Sequence, residues 1–346
     1  MKKIVLFLVV ILAFVILARF NNDNDMKSTN QPTRVPDAGE QELIAWFASW
    51  DSQKAEESLP PVIDKFSIYS PMLYRVMEDS TLGRHEISNR DEIIVIGRDH
   101  NKPIAPVITD EGNLERIQTL LDDSEKQKAF FADLVQEAKD ENFSGWSIDI
   151  EKLTSGDKDA FSNFVKNLSE ELHNNDLKLY MIAYGRDADE TYDPAKAHDY
   201  KVLGQYADQV QLMIYYYNNE FTDPGGQTPN DWYRSVLTYA LETIPREKIV
   251  VGLSTHGNDW GGEEVEGLTY QDVARRLEET NAVVSYDEKE ISMVARYDKD
   301  GTEHTLYYET AKTIIEKMKI ARDEYGINKF AFWRLSAEDP ELWKEL

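Results

Sequence analysis

The chain has 346 residues, 41% hydrophobic and 11% aromatic, enough for a large core and for either one α/β barrel or two smaller domains. Its 38 Lys and Arg face 64 Asp and Glu, a formal charge of -26 with no basic stretch. That balance argues against a nucleic-acid partner and for a solvated acidic surface better suited to a neutral polymer than to a polyanion. The absence of cysteine excludes disulfides, thiolate catalysis, cysteine zinc sites and a cysteine-linked lipid anchor.

The first twenty residues place "MKK" before the unbroken apolar run Ile4 to Ala18, the layout of an export signal with its positive residues held inside. Residues 1–20 therefore read as a signal peptide or an N-terminal membrane anchor, and the rest of the chain is expected outside the cytoplasm. The run sits at the upper limit of a signal-peptide core and is slightly short for a spanning helix. No pair of small residues of the A-x-A type follows it, which favours the anchor. Residues 21–40 are polar, carry two prolines and show no apolar period, so they are expected to form a flexible linker between the membrane and a domain spanning 41–346.

From Gln41 onward, strand-like runs alternate with helical ones. The strand candidates are Leu43 to Trp50, Phe66 to Tyr74, Lys102 to Thr109, Gly145 to Glu151, Leu177 to Gly185, Gln209 to Tyr216, Lys248 to Ser254 and Lys329 to Leu335. Between them, Ser124 to Phe143 and Asp157 to Asn175 repeat apolar residues at intervals of three and four, the period of a helix with one buried face. Eight strands alternating with helices in about 300 residues predict a (β/α)8 TIM barrel. The stretch from about Asn258 to Thr305 breaks the rhythm with a hairpin pattern around "DKDG" and reads as a small insertion before the last helix and strand.

The fourth strand, "SGWSIDIE", carries the chemistry. A period of two puts Trp146, Ile148 and Ile150 on one face and Ser147, Asp149 and Glu151 on the other. In a barrel of this kind the side chains at the C-terminal ends of the strands line the site, and Glu151 lies at such an end with Asp149 one layer below. Residues two apart on a strand are about 6.7 Å apart. At an effective dielectric of about 20 their repulsion is roughly 2.5 kcal/mol, on the order of two pKa units. The pair is thus expected to retain one proton, with Glu151 as the protonated general acid and Asp149 as the charged partner.

"SGWSIDIE" resembles the fourth-strand signature of glycoside hydrolase family 18, the chitinase-like barrels, written D-x-x-D-x-D-x-E. "QLMIYYYN" resembles that family's sixth-strand Met-x-Tyr-Asp segment through Met213 and Tyr215. "IPREKIVVGLSTHGNDW" resembles the next strand and loop, and "KFAFWRLSAEDPELW" the eighth strand with its Trp, here Trp333. The likeness runs from Gln41 to Leu346 and is strongest to the bacterial spore-cortex and cell-wall N-acetylglucosaminidases. It implies hydrolysis of β-1,4 bonds in N-acetylglucosamine polymers, peptidoglycan or chitin-like, by a retaining mechanism in which the substrate's 2-acetamido oxygen is the nucleophile. It further implies Glu151 as acid and base, Asp149 as the group that orients the acetamide and stabilises the oxazolinium, and Tyr215 as a hydrogen-bond donor to the acetamide carbonyl. Trp333, Met213, Tyr216 and Ser147 are the implied sugar-binding residues, with no cofactor and no metal.

The chain departs from that pattern at Ser144 and Ser147, where the signature has Asp, and at Tyr216, where an Asp follows the Tyr. Those losses leave a second reading open, a chitinase-like barrel that binds amino sugars without cutting them; retention of both Asp149 and Glu151 favours the enzyme. The six histidines, among them His198 and His256, show no metal-ligand spacing and read as surface or core, with a sugar contact open to His256. Arg186 and Asp187, after the fifth strand, read equally as cleft residues or as solvated loop charges.

Overall fold

The computed structural model describes residues 39–346. The expected export segment, residues 1–20, and nearly all of the expected linker, 21–40, lie outside the described residues. Among those described, no helix is long and apolar enough to cross a membrane.

Eight parallel strands in the described residues close into a barrel: β1 (Glu42–Phe47), β2 (Ile68–Val76), β3 (Val107–Thr109), β4 (Gly145–Asp149), β5 (Lys178–Tyr184), β6 (Gln209–Met213), β7 (Ile249–Ser254) and β8 (Lys329–Trp333). Each pairs in parallel with the next, and β8 returns to β1, with Glu42 opposite Lys329 and Ala45 opposite Phe332. All eight lie within or across the runs expected from the alternation. The third is far shorter than expected, because Pro103 and Pro106 have no amide hydrogen to give to a ladder.

The period-two pattern sorts the strand side chains into two cores. Trp146, Ile148 and Ile150 join the large cluster between barrel and helices, whereas Ile44, Trp46, Val107, Tyr180, Ile182, Met213, Val250 and Ala331 fill the barrel itself. The one indole nitrogen buried inside it, on Trp46, donates to Gln211 Oε1 at 3.1 Å. The helices Ser124–Glu141 and Lys158–His173 pack outside, as their periodicity predicts. Asp123 caps the first by accepting from the amides of Glu125 and Lys126, and Asn142 ends it in the left-handed region at φ 52°.

The insertion is a five-stranded antiparallel sheet built from Gly257–Trp260, Glu266–Leu268, Val283–Asp287, Ser292–Lys299 and Thr302–Tyr308, with the helix Tyr270–Thr280 packed on it. Its "DKDG" hairpin turns through Asp300 and Gly301, both at positive φ (56° and 83°), the conformation that tight two-residue hairpins require. One element is absent from the sequence reading. Leu82–Arg84 folds back antiparallel on β2, and Asp79 stabilises its turn by accepting from the amide and hydroxyl of Thr81 at 3.1 and 2.7 Å.

Candidate active site

Four strand ends deliver the candidate groups. Asp149 is the last residue of β4 and Glu151 follows two residues on; Tyr184 ends β5, Tyr215 follows β6 and Trp333 ends β8. Tyr184, Tyr215 and Trp333 all pack on the apolar cluster inside the barrel, to which Met213 belongs. That cluster is therefore the floor on which the polar groups stand. Gly185 lets β5 and β6 meet closely here: its amide donates to Met213 O at 3.0 Å, and a Cβ on it would lie 2.7 Å from the same oxygen.

The loop carrying Glu151 is pinned by Asp110, the residue after β3, itself buried. Asp110 Oδ2 accepts from the Glu151 amide at 2.7 Å and from the Lys152 amide, while its Oδ1 accepts from the Gly112 amide at 2.7 Å. Three carboxyl groups thus share a poorly solvated space. Burial raises the pKa of Asp149 well above the usual carboxylate range, and the charges of Glu151 and Asp110 raise it further. Glu151 is also raised, first by burial, but a hydrogen bond from Tyr184 and the charge of Lys152 pull it back. Both carboxyls of the pair are thus held above the ordinary range, the condition under which the two share a proton. The reason is tertiary: the enclosure and the tyrosine donor come from other strands.

Asp149 Oδ1 is buried and has no hydrogen-bond partner among the described residues. A buried polar atom left unpaired is costly, which marks this oxygen as one kept for a donor that arrives from outside. Tyr215 is held neutral, its pKa raised well above 10 by burial and by the charges of Asp149 and Glu151, so its hydroxyl remains a hydrogen-bond donor. An acceptor oxygen and a donor hydroxyl facing one space suit a secondary amide, which offers an N–H and a C=O.

The remaining expected residues fall into different places. Ser147 is fully buried beneath the pair; its hydroxyl donates to Ala105 O at 3.2 Å and meets Ser70 Oγ at 3.3 Å, so the expected sugar contact does not fit. It is a closed structural contact, because the face of β4 that it shares with Asp149 is sealed by β2 and β3 one layer down. Tyr216 stands at the rim, 47% exposed and at φ 69°, with its ring 6.4 Å from that of His256. His256 itself is buried, bonded to Ser254 Oγ at 3.1 Å and lowered to about 4 by its burial, and so remains neutral. Arg186 is engaged away from the pair, donating to Ala195 O at 3.3 Å and to Tyr239 Oη, on the helix Asn230–Thr243, at 3.0 Å. Asp187 only caps the Asp189 amide. No group of three or more His, Asp or Glu among the described residues is placed to hold a metal ion.

Sequence reasoning missed Asp110, Tyr184 and Trp50. The first two had a usable signal, being polar residues at or just past the C-terminal end of a barrel strand. Trp50 is 65% exposed, yet it is fixed edge-on to Trp333 at 6.1 Å between ring centroids and lies under the Arg334 guanidinium at 5.8 Å. Arg334 is in turn paired with Asp51. Tyr192, Tyr217 and Phe221 are further exposed aromatics on loops that follow β5 and β6.

The sequence matches the family described as glycosyl hydrolases family 18 over residues 10–338. It is 28% identical over 225 residues to the Bacillus subtilis (strain 168) protein named uncharacterized glycosylase YvbX, a match covering 64% of this chain and 65% of that one. It is 24% identical over 303 residues to the cortical fragment-lytic enzyme of the same organism, covering 84% of this chain and 69% of that one. Among solved structures, the chitinase from Chromobacterium violaceum ATCC 12472 superposes with a TM-score of 0.81 at 25% identity, covering 88% of this chain and 97% of that one. The spore cortex-lytic enzyme SleL of Bacillus megaterium QM B1551 shares the fold with a TM-score of 0.79 at 22% identity, covering 90% of this chain and 74% of that one.

Proposed function

The chain belongs to glycosyl hydrolases family 18, and on that premise we propose that it cuts β-1,4 bonds beside N-acetylglucosamine, with the substrate's own acetamide as the nucleophile. The observation that carries this reading is the unpartnered Asp149 Oδ1, enclosed beside Glu151 and the Tyr215 hydroxyl. An acetamide N–H donating to Asp149 stabilises its charged form and so lowers its pKa. Glu151 is then the member of the pair that carries the shared proton and serves as the general acid.

Glu151 donates that proton to the leaving glycosidic oxygen, a contribution of about 10² to 10⁴ in rate. The acetamide oxygen attacks the anomeric carbon while Tyr215 fixes its orientation. A nucleophile already attached to the substrate gains from the lost cost of bringing two molecules together. The positive oxazolinium that results lies against the Asp149 carboxylate, a fixed charge in a poorly solvated site. Glu151, now a base, takes a proton from the water that reopens the ring. Trp333 offers an apolar face to the sugar, and Trp50 and the exposed tyrosines extend that face along the rim.

The similarity to a cortical fragment-lytic enzyme and the expected export segment favour peptidoglycan over nutrient chitin as the polymer, cut outside the cytoplasm by an enzyme tethered through residues 1–20. The test is release of reducing ends from purified peptidoglycan and from chitin oligosaccharides by the full chain and by Glu151→Gln. Release that the variant loses by a hundredfold or more supports the glycosidase, and the better substrate identifies the polymer. Binding of the same sugars by both proteins with cleavage by neither supports the non-cutting amino-sugar binder, toward which Ser144 and Tyr216 point.

A further inference from the structure

The end of β5 is held to the end of β4 by a histidine that faces no solvent. His198 is fully buried, its ring between Phe161 (centroids 5.4 Å apart) and Tyr184 (5.5 Å, nearly parallel at 22°). Its Nε2 lies 3.0 Å from Ile150 O, the carbonyl preceding Glu151, and its Nδ1 accepts from the Tyr184 amide at 3.2 Å. The two bonds fix one tautomer: Nδ1 must be the bare acceptor, and so Nε2 carries the hydrogen and donates to Ile150. Burial lowers the His198 pKa to about 4, so this neutral arrangement persists across the working range of pH. The Tyr184 carbonyl is secured too, accepting from Tyr200 Oη at 2.5 Å.

With its backbone fixed at both ends, Tyr184 stands beside Glu151, where its hydroxyl and the carboxyl act on each other, and its ring packs edge-on against Tyr192 with centroids 5.3 Å apart. We propose that Tyr184 is a positioning residue that donates a hydrogen bond from its hydroxyl to the Glu151 carboxyl, and that the imidazole of His198, bonded to both strand ends, sets the distance on which that bond depends. The inference rests on Glu151 being the proton donor of the proposed glycosidase. Tyr184 fixes the carboxyl's rotamer, and, because it donates to the charged form, it keeps Glu151 acidic enough to release its proton. The other groups facing Glu151 are Asp149 on its own strand, Asp110 from the end of β3, Lys152 beside it, and Tyr215 and Tyr216 after β6; Arg186 is the charge that acts on His198.

The deciding variant is Tyr184→Phe, which keeps the ring on His198 and removes only the hydroxyl. Two readouts are taken on the full chain. One is the titration midpoint of Glu151 by carbon NMR on protein labelled at the glutamate carboxyl, with the resonance assigned through Glu151→Gln. The other is the pH profile of kcat and KM on the substrate that the parent cuts. The expected result is a Glu151 midpoint about one pH unit higher than in the parent, an alkaline limb displaced with it, and kcat lower by about tenfold at unchanged KM. His198→Phe, which keeps the stack and loses both hydrogen bonds, should move the same midpoint, and His198→Gln, which restores the donor to Ile150, should recover part of it. If the His198 variants fail to fold, Tyr184→Phe decides alone. A midpoint that does not move overturns the inference whether or not the parent is active. A midpoint that moves in a parent that cuts neither polymer upholds the hydrogen bond to Glu151 and removes the glycosidase reading instead.

Discussion

Asp149 in the barrel and Asp259 in the inserted sheet are both almost wholly withdrawn from solvent, 8% and 2% exposed, but their surroundings are opposite. Asp259 accepts from Arg276 at 2.5 Å, from the Tyr297 hydroxyl and from His304 at 3.1 Å, so both of its oxygens are engaged and a cation stands beside it. The same is true of Glu309 at the foot of the insertion, paired with the buried Lys317 at 2.5 Å and bonded to Thr313 and Ser292. Asp149 has an orphaned oxygen and two carboxyl neighbours. A buried charge that is fully paired holds a structure together, whereas one left unpaired among like charges lowers stability and persists where it does chemistry.

Substitutions at the two places should therefore fail in different ways. The largest effect is expected from Glu151→Gln: a loss of about 10² to 10⁴ in the rate of reducing-end release, with thermal stability no lower than the parent's. Asp149→Asn should behave likewise, because an amide never ionises in a site whose burial and neighbouring carboxyls oppose a charge. Asp259→Asn should invert this, costing about 3–5 kcal/mol in urea unfolding while the rate per folded molecule stays the same. An Asp259 variant that keeps its stability but loses turnover would erase the distinction.

The pH dependence sharpens the contrast by its sign. The folded-state pKa values of Asp149 and Glu151 are raised, so the stability gained from their protonated forms is present below the ordinary carboxylate range and is lost as pH rises through the raised values. Parent and Asp149→Asn unfolding curves should accordingly diverge on the alkaline side and converge in acid. The rate should also fall as pH rises through the Glu151 value, where the acid is lost. The smallest effect is expected at Trp50→Ala, where an exposed stacking surface worth about 1 kcal/mol is removed: KM should rise by about fivefold, measured on oligosaccharides, with kcat and stability unchanged.

The local regularities were legible without coordinates. Alternation in "GWSIDIE" separated Trp146, Ile148 and Ile150 from Asp149 and Glu151, helical periods over Ser124 to Phe143 and Asp157 to Asn175 marked the helices found at Ser124–Glu141 and Lys158–His173, and "DKDG" marked a hairpin. All are properties of neighbouring residues, and backbone geometry turns each directly into a face, a helix or a turn. What the pattern could not show is which strand ends approach one another once the barrel closes. Asp110 pinning the Glu151 loop across 41 residues, Tyr184 reaching Glu151 from the next strand, and His198 bridging 48 residues to Ile150 are such meetings. So is the enclosure that raises both Asp149 and Glu151 and closes Ser147 off from the cleft. Burial and long-range hydrogen bonds set these pKa shifts, and they exist only when distant segments have been packed together; the sequence supplies the carboxylates, and the tertiary structure decides that both are raised.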